Sequence, residues 1–171
     1  MKLSVLMSGK TPDPTATGAV VADNMVLAVD CGTTAVTEIS ATTVKDFAVV
    51  QLGIEGVESN LNPESQDKTY LRVGKSSTKT ATQRSFSISG DRMLGDDFQD
   101  FALSHAILYG TGSAVQRKYV YFNILTGKGE SGDISIIVNS DSAGNAGESS
   151  TIDIELKSVG TQPDEFTYSA S

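Results

Sequence analysis

The sequence predicts a mainly β domain: an antiparallel sandwich or barrel-like sheet with one flanking helix at about residues 96–108 and a long extended loop at about 58–81. Three observations lead there. Several short segments alternate apolar and polar residues, clearest at 151–158, where Ile152, Ile154 and Leu156 share one face and Asp153, Glu155 and Lys157 the other. Turn residues separate about seven such segments at short intervals. Only one stretch places apolar residues at helical spacing. The 171 residues suit a single domain, 1–171, large enough to bury a core.

Residues 1–18, with Thr11-Pro12-Asp13-Pro14, are polar and broken by proline and glycine, and read as an N-terminal arm. Residues 20–29 form a strand candidate interrupted at Asp23-Asn24. Residues 35–44 alternate loosely and are rich in threonine. Residues 47–57 read as one long strand, apolar on both faces: Ala48, Val50, Leu52 and Ile54 against Phe47 and Val49. Residues 58–81 then change character, polar throughout except for Tyr70, Leu71 and Val73. A loop of that length inside a compact domain is a functional or disordered element.

Alternation resumes at 82–90, with Phe86 and Ile88 on one face. Asp96 or Asp97 caps the helix, and Phe98, Phe101, Ala102 and His105 follow as its apolar stripe. Gly110 and Gly112 end it. Residues 118–125 again carry apolar side chains on both faces. Residues 126–132 read as a glycine-rich hairpin turn, and 134–138 return as a strand. The tail, 160–171, holds Phe166 and Tyr168 in polar surroundings. Strands apolar on both faces would be half exposed in a small lone sandwich, an argument for partner chains.

Composition excludes several classes. The net charge of −8 opposes a protein that clamps phosphates with lysine and arginine. The charge is unevenly placed. Lys68, Arg72, Lys75, Lys79 and Arg84 form a strip that holds five of the 13 basic residues and none of the 21 acidic ones. No apolar run is long enough to cross a bilayer as a helix, and the first residues lack the apolar core of a secretory signal, so no membrane anchor is expected. The single cysteine, Cys31, permits no internal disulfide and fits a reducing compartment.

No motif carries catalysis. Gly127-Lys128-Gly129-Glu130-Ser131-Gly132 matches the dinucleotide pattern by letter but joins two strands, whereas that motif must open a helix. Asp30-Cys31-Gly32-Thr33-Thr34 is similar to the phosphate loop of sugar kinases, which need two large domains. Asn139, Asp141 and Gly144 lack the later oxygen ligands of a calcium loop. His105 is expected as a buried core residue with no second histidine to share a metal. Cys31 has no activating base nearby, and Asp96, Asp97 and Asp100 are explained by capping and the helix dipole. No catalytic, metal or cofactor-binding residue is assigned, and no cofactor is expected.

The stretch Ser85-Phe86-Ser87-Ile88-Ser89-Gly90-Asp91-Arg92, followed by Leu94-Gly95-Asp96 and the helix, resembles the major tail tube proteins of long-tailed bacteriophages. So does the ending, from Gly147-Glu148 through 151–158 to Gly160-Thr161. The resemblance implies a tail tube fold and a structural, non-enzymatic virion protein. It implies self-assembly into stacked, hexameric rings that form a conduit for DNA ejection. The implied partners are other copies of the chain and further tail proteins (tape measure, terminator, baseplate or tip). DNA would pass through the lumen without specific binding, and assembly would take place in the host cytoplasm. In the same frame residues 58–81 become an inter-ring loop, mobile until docked, with Lys68, Tyr70, Leu71, Arg72, Val73, Lys75 and Lys79 as its self-assembly residues. Asp153 and Glu155 become candidate lumen-facing acids. A tail terminator, a capsid decoration protein and, more distantly, a surface adhesin module are the competing readings.

Overall fold

The computed structural model describes residues 1–169; the last two residues of the expected tail, Ala170 and Ser171, lie outside the described residues. In chain order the elements are α1 (Leu3–Leu6), β1 (Met25–Val29), β2 (Ala48–Val49), β3 (Ile54–Asn60), β4 (Glu64–Tyr70), β5 (Gly74–Ala81), β6 (Ser85–Asp91), α2 (Asp97–Ala102), α3 (His105–Leu108), β7 (Gln116–Asn123), β8 (Lys128–Ala143), β9 (Thr151–Ser158) and β10 (Asp164–Thr167). The fold is mainly β, as the alternation predicts. One antiparallel sheet, ordered β2-β1-β7-β8-β9-β6-β3 with β10 also on β8, curls into a half-barrel. Strands β4 and β5 pair only with each other.

The concave side of the half-barrel holds the main core. Leu27, Val29, Phe86, Ile88, Tyr119, Ile134, Ile154 and Leu156 point into it from the sheet, and Phe98, Ala102 and Ile107 fill it from α2 and α3. Asp96 caps α2 as expected, its carboxylate accepting the Gln99 N–H at 3.0 Å. The helix does not continue to Leu108. Ser104 adopts an extended backbone (φ −67°, ψ 150°), and α3 starts afresh after it. That break corrects the reading of His105: the new phase turns Ile107 into the core and leaves His105 exposed, its ring 4.8 Å from that of Tyr109.

Of the segments predicted to be apolar on both faces, β7 and residues 47–50 are covered on both by their own chain, whereas Leu52 and Val57 stay exposed. A second core lies on the convex side of β1 and β7, where Val26, Ala28, Val120 and Phe122 meet Leu3, Met7, Val44, Phe47 and Tyr168. Phe122 stacks on Tyr168 with ring centroids 5.5 Å apart. Burying each such side chain contributes about 1.5–3 kcal/mol. Residues 1–9, expected within an arm, therefore pack on the domain; Leu3 N–H donates to the Phe47 carbonyl. No partner chain is needed to cover β7, while the outer part of 47–57 remains open.

Three further expectations change. Residues 35–44 form no strand. Residues 47–57 are not one strand, because Gly53, at φ +71°, turns the chain so that β2 ends one edge of the sheet and β3 begins the other. Four residues, 50–53, thus cross the open seam of the half-barrel. Residues 58–81 are no unpaired loop: after β3 they form a β4–β5 hairpin, Asp67 opposite Ser77 and Thr69 opposite Lys75. Both its faces meet water, so no apolar alternation marks it.

The glycine motif resolves as strand. Gly127 (φ +71°) closes the turn after β7, and Lys128 to Gly132 open β8. A Cβ on Gly129 would stand 2.0 Å from the Tyr121 carbonyl oxygen and 2.4 Å from Phe122 Cα. Glycine is required there for strand packing, not for a phosphate. Gly129→Ala is expected to destabilise the domain by about 3 kcal/mol through overpacking against backbone. A thermal melt unchanged from wild type would contradict that reading.

Candidate assembly surfaces

Three surfaces stand out, and all follow from how the sheet is covered. The first is the convex face of β3, β6, β9 and the far half of β8. Cross-strand partners share a face, so Glu58, Ser87, Glu155 and Ile137 form one row and Gly56, Ser89, Asp153 and Ser140 the next. The second core does not extend over this half. Asp153 is exposed and Glu155 half-buried, the latter 3.3 Å from Lys157 Nζ. Both therefore lie, as the alternation predicts, on the face opposite the buried Ile152, Ile154 and Leu156.

The second surface is the edge of β3, which pairs with β6 on one side and has no strand partner on the other among the described residues. Its outward backbone groups form a template for pairing.

The third is the hairpin. Every residue of β4 and β5 is exposed. At its tip Leu71 is 86% exposed, Val73 82% and Tyr70 52%. Of the predicted basic strip, two members are already engaged. Lys75 Nζ lies 2.8 Å from Asp67, whose carboxylate also accepts from Ser77, and these partners hold the Asp67 pKa below its ordinary value. That contribution to hairpin pairing is present above the ordinary aspartate range and is lost as pH falls through the lowered value. Arg84 leaves the strip altogether. Its guanidinium makes a bidentate pair with Glu130 at 2.5 and 3.0 Å and lies 5.3 Å from the ring centres of both Phe86 and Tyr121. Tyr119 donates to the same Glu130 at 3.0 Å. Lys68, Arg72 and Lys79 make no ion pair among the described residues, and they are the cations the hairpin can offer a partner.

The remaining polar candidates are structural. Asp30 is buried and accepts the Gly32 and Val36 N–H groups at 3.0 and 2.7 Å, so the Asp30–Thr34 motif is a loop organised by its own carboxylate. Burial, with Asp30 adding, pushes the Cys31 thiol well above its ordinary range, the reverse of an activated nucleophile. Asp100 pairs with Arg92 at 2.6 Å and accepts Gly95 N–H at 2.9 Å, tying the turn before α2 to the helix. Asn139 and Asp141 belong to β8, not to a metal loop. Among the described residues no cluster of three or more His, Cys, Asp or Glu could hold a metal ion, and no helix is long and apolar enough to span a membrane.

One functional side chain escaped the sequence reading. Gln99, fully buried, donates to the Leu52 and Asp91 carbonyls at 2.8 and 3.1 Å and accepts from Met93 N–H at 2.8 Å. It pins the 50–53 crossing and the end of β6 to α2. A glutamine at the third position of a helix is so common that nothing in the sequence distinguishes it.

No protein-family model matches the sequence, and neither does any curated protein. Solved structures share the fold. A chain from the tail of an empty gene transfer agent particle, determined by helical refinement with C6 symmetry, aligns with 89% of this chain and all of its own, with a TM-score of 0.54 and 16% identity. A chain from the virion of a native gene transfer agent particle aligns over the same shares, with a TM-score of 0.51 and 14% identity. At these identities the likeness is one of fold.

Proposed function

We propose that this chain is a structural virion protein, the tail tube subunit of a phage-like particle, whose copies close into rings that stack into a conduit for DNA. The observation that carries the reading is the division of the sheet's convex face. One half is sealed by the chain's own termini, and the other is bare, acid-bearing and bordered by the open β3 edge. A closed ring pairs such edges with neighbours and leaves no free template. Facing inward, the bare half would present Asp153 and Glu155 to passing DNA, and like charge keeps phosphates from sticking.

The shared fold with gene transfer agent tail and virion chains supports this, and the C6 symmetry of one of those particles supports six subunits per ring. The role is non-enzymatic and needs no cofactor. The partners are other copies of the chain and the proteins that begin, measure and end a tail. DNA is a passenger, and the place of action is the virion after assembly in the host cytoplasm.

Negative-stain microscopy of the purified protein tests the reading: tubes of constant diameter are expected. Single rings would instead favour a terminator, and small discrete oligomers a decoration protein. Neutralising the bare face with Asp153→Asn and Glu155→Gln is expected to leave tubes intact while slowing DNA ejection, read as the time course of DNA release from particles carrying the variant. Unchanged ejection would remove the acids from the mechanism.

A further inference from the structure

The covered half of the convex face is covered unevenly. Alternation turns Lys118, Val120 and Phe122 of β7 to that side, and the register sets Asp133, Ser131 and Gly129 of β8 beside them. Strand β10 extends two of these rows, with Asp164 opposite Ser131 and Phe166 opposite Gly129. Over Phe122 the rings of Phe166 and Tyr168 close the surface. Over Ser131 and Asp133 a cavity of about 560 Å³ remains, with β10 on one side and residues 37–41 on the other. Thr43 fixes the second wall, its hydroxyl accepting from Ser40 N–H at 2.9 Å and donating to the Glu38 carbonyl at 3.1 Å. The volume falls in the range of small-molecule sites.

The lining has a definite chemistry. Ser131 is only 7% exposed and borders the cavity, and its hydroxyl makes no hydrogen bond among the described residues. A polar group buried without a partner is costly, so this hydroxyl is an open position for a ligand atom. The charge is one-sided. Glu38, Asp133, Asp164 and Glu165 stand against one cation, Lys118, which Asp133 already holds at 2.8 Å. Glu38, Asp164 and Glu165 make no ion pair among the described residues. Ile39, Val44 and Phe166 supply apolar wall. Anions are repelled here, and a neutral ligand leaves the carboxylates unanswered. The complement is an ammonium group on a short hydrocarbon stem, which offers N–H donors to Ser131 and Asp164 and methylenes to the apolar wall.

We infer that this cavity binds a small organic cation, an alkyl diamine or polyamine, with one ammonium between Ser131 and Asp164 and another toward Glu38. The site is separate from the bare acidic face and from the β3 edge, and the inference is independent of the tube reading. A ligand held between β10 and residues 37–41 ties the last strand to the domain, so binding stabilises the folded state.

The test titrates the purified full-length protein with putrescine and with spermidine by calorimetry. Saturable one-to-one binding is expected, weakened roughly tenfold or more by Asp164→Asn, which removes a charge-assisted hydrogen bond. Ser131→Ala should weaken it roughly threefold or more while leaving the carboxylates in place. Asp141→Asn, which removes the same charge from the exposed far end of β8, should leave the affinity unchanged. The melting temperature should rise with spermidine in the wild type and stay level in Asp164→Asn, a readout that also shows the variant to be folded. An uncharged diol of putrescine's length should not bind. Equal weakening by Asp164→Asn and Asp141→Asn would reduce the effect to diffuse attraction by an acidic protein and overturn the site. Binding of the diol as tightly as the diamine would overturn it too.

Discussion

Replacing residues 64–78 with a short Gly/Ser linker is expected to yield a folded, soluble subunit that forms no tubes. Neither core contains a residue between Ile54 and Phe86, so removing the hairpin takes nothing from the packing that holds the domain together. Its own pairing is marginal, since an isolated two-stranded ribbon is barely stable in water. The hairpin amides should therefore exchange quickly in the lone subunit and slowly in the assembled tube. What is lost is the apolar tip and two unpaired cations, Lys68 and Arg72. Exposed ion pairs are worth about 0–1 kcal/mol each, so the charges set register while Leu71 and Val73 supply affinity. Wild-type stacking should accordingly weaken only moderately with salt. Circular dichroism checks the fold and sedimentation the assembly; normal tubes from the shortened protein would refute an assembly role for the hairpin.

A loss of stability as large as that of Gly129→Ala is expected from Gln99→Leu. The substitution keeps volume in the core but orphans two half-buried carbonyls, of Leu52 and Asp91, and the half-buried Met93 N–H. Each unsatisfied buried group costs about 1–3 kcal/mol. A loss of about 3 kcal/mol, or about 6–12 °C in melting temperature for a domain of this size, is expected. Gln66→Leu, on the exposed hairpin, serves as the control and should shift stability by no more than about 0.5 kcal/mol. If the two variants melt alike, the seam is not held by Gln99.

Much of this architecture was legible before the structure. Strand β9 occupies the predicted residues because one face is buried and the other wet, the condition under which period-two alternation is strongest. Asp96 announced the helix start, since a carboxylate there answers free amides. The hairpin was read as a loop because alternation reports contrast between two faces, and β4–β5 has water on both. His105 was misplaced for a related reason: the helical stripe assumes an unbroken helix, and Ser104 breaks it. The basic strip was overcounted because Arg84 finds Glu130, 46 positions away.

The sequence by itself determined the class of the fold, the helical region that starts at Asp96, the acidic face of β9 and the exceptional character of residues 58–81, because each depends on local periodicity or composition. Only the tertiary structure decided that β2 and β3, neighbours in the chain, stand at opposite edges of the sheet, that the termini seal half of its convex face, and that the β3 edge is left without a strand partner among the described residues. Those facts arise from contacts between residues far apart in sequence, and one strand's pattern carries no record of which distant strand will lie beside it.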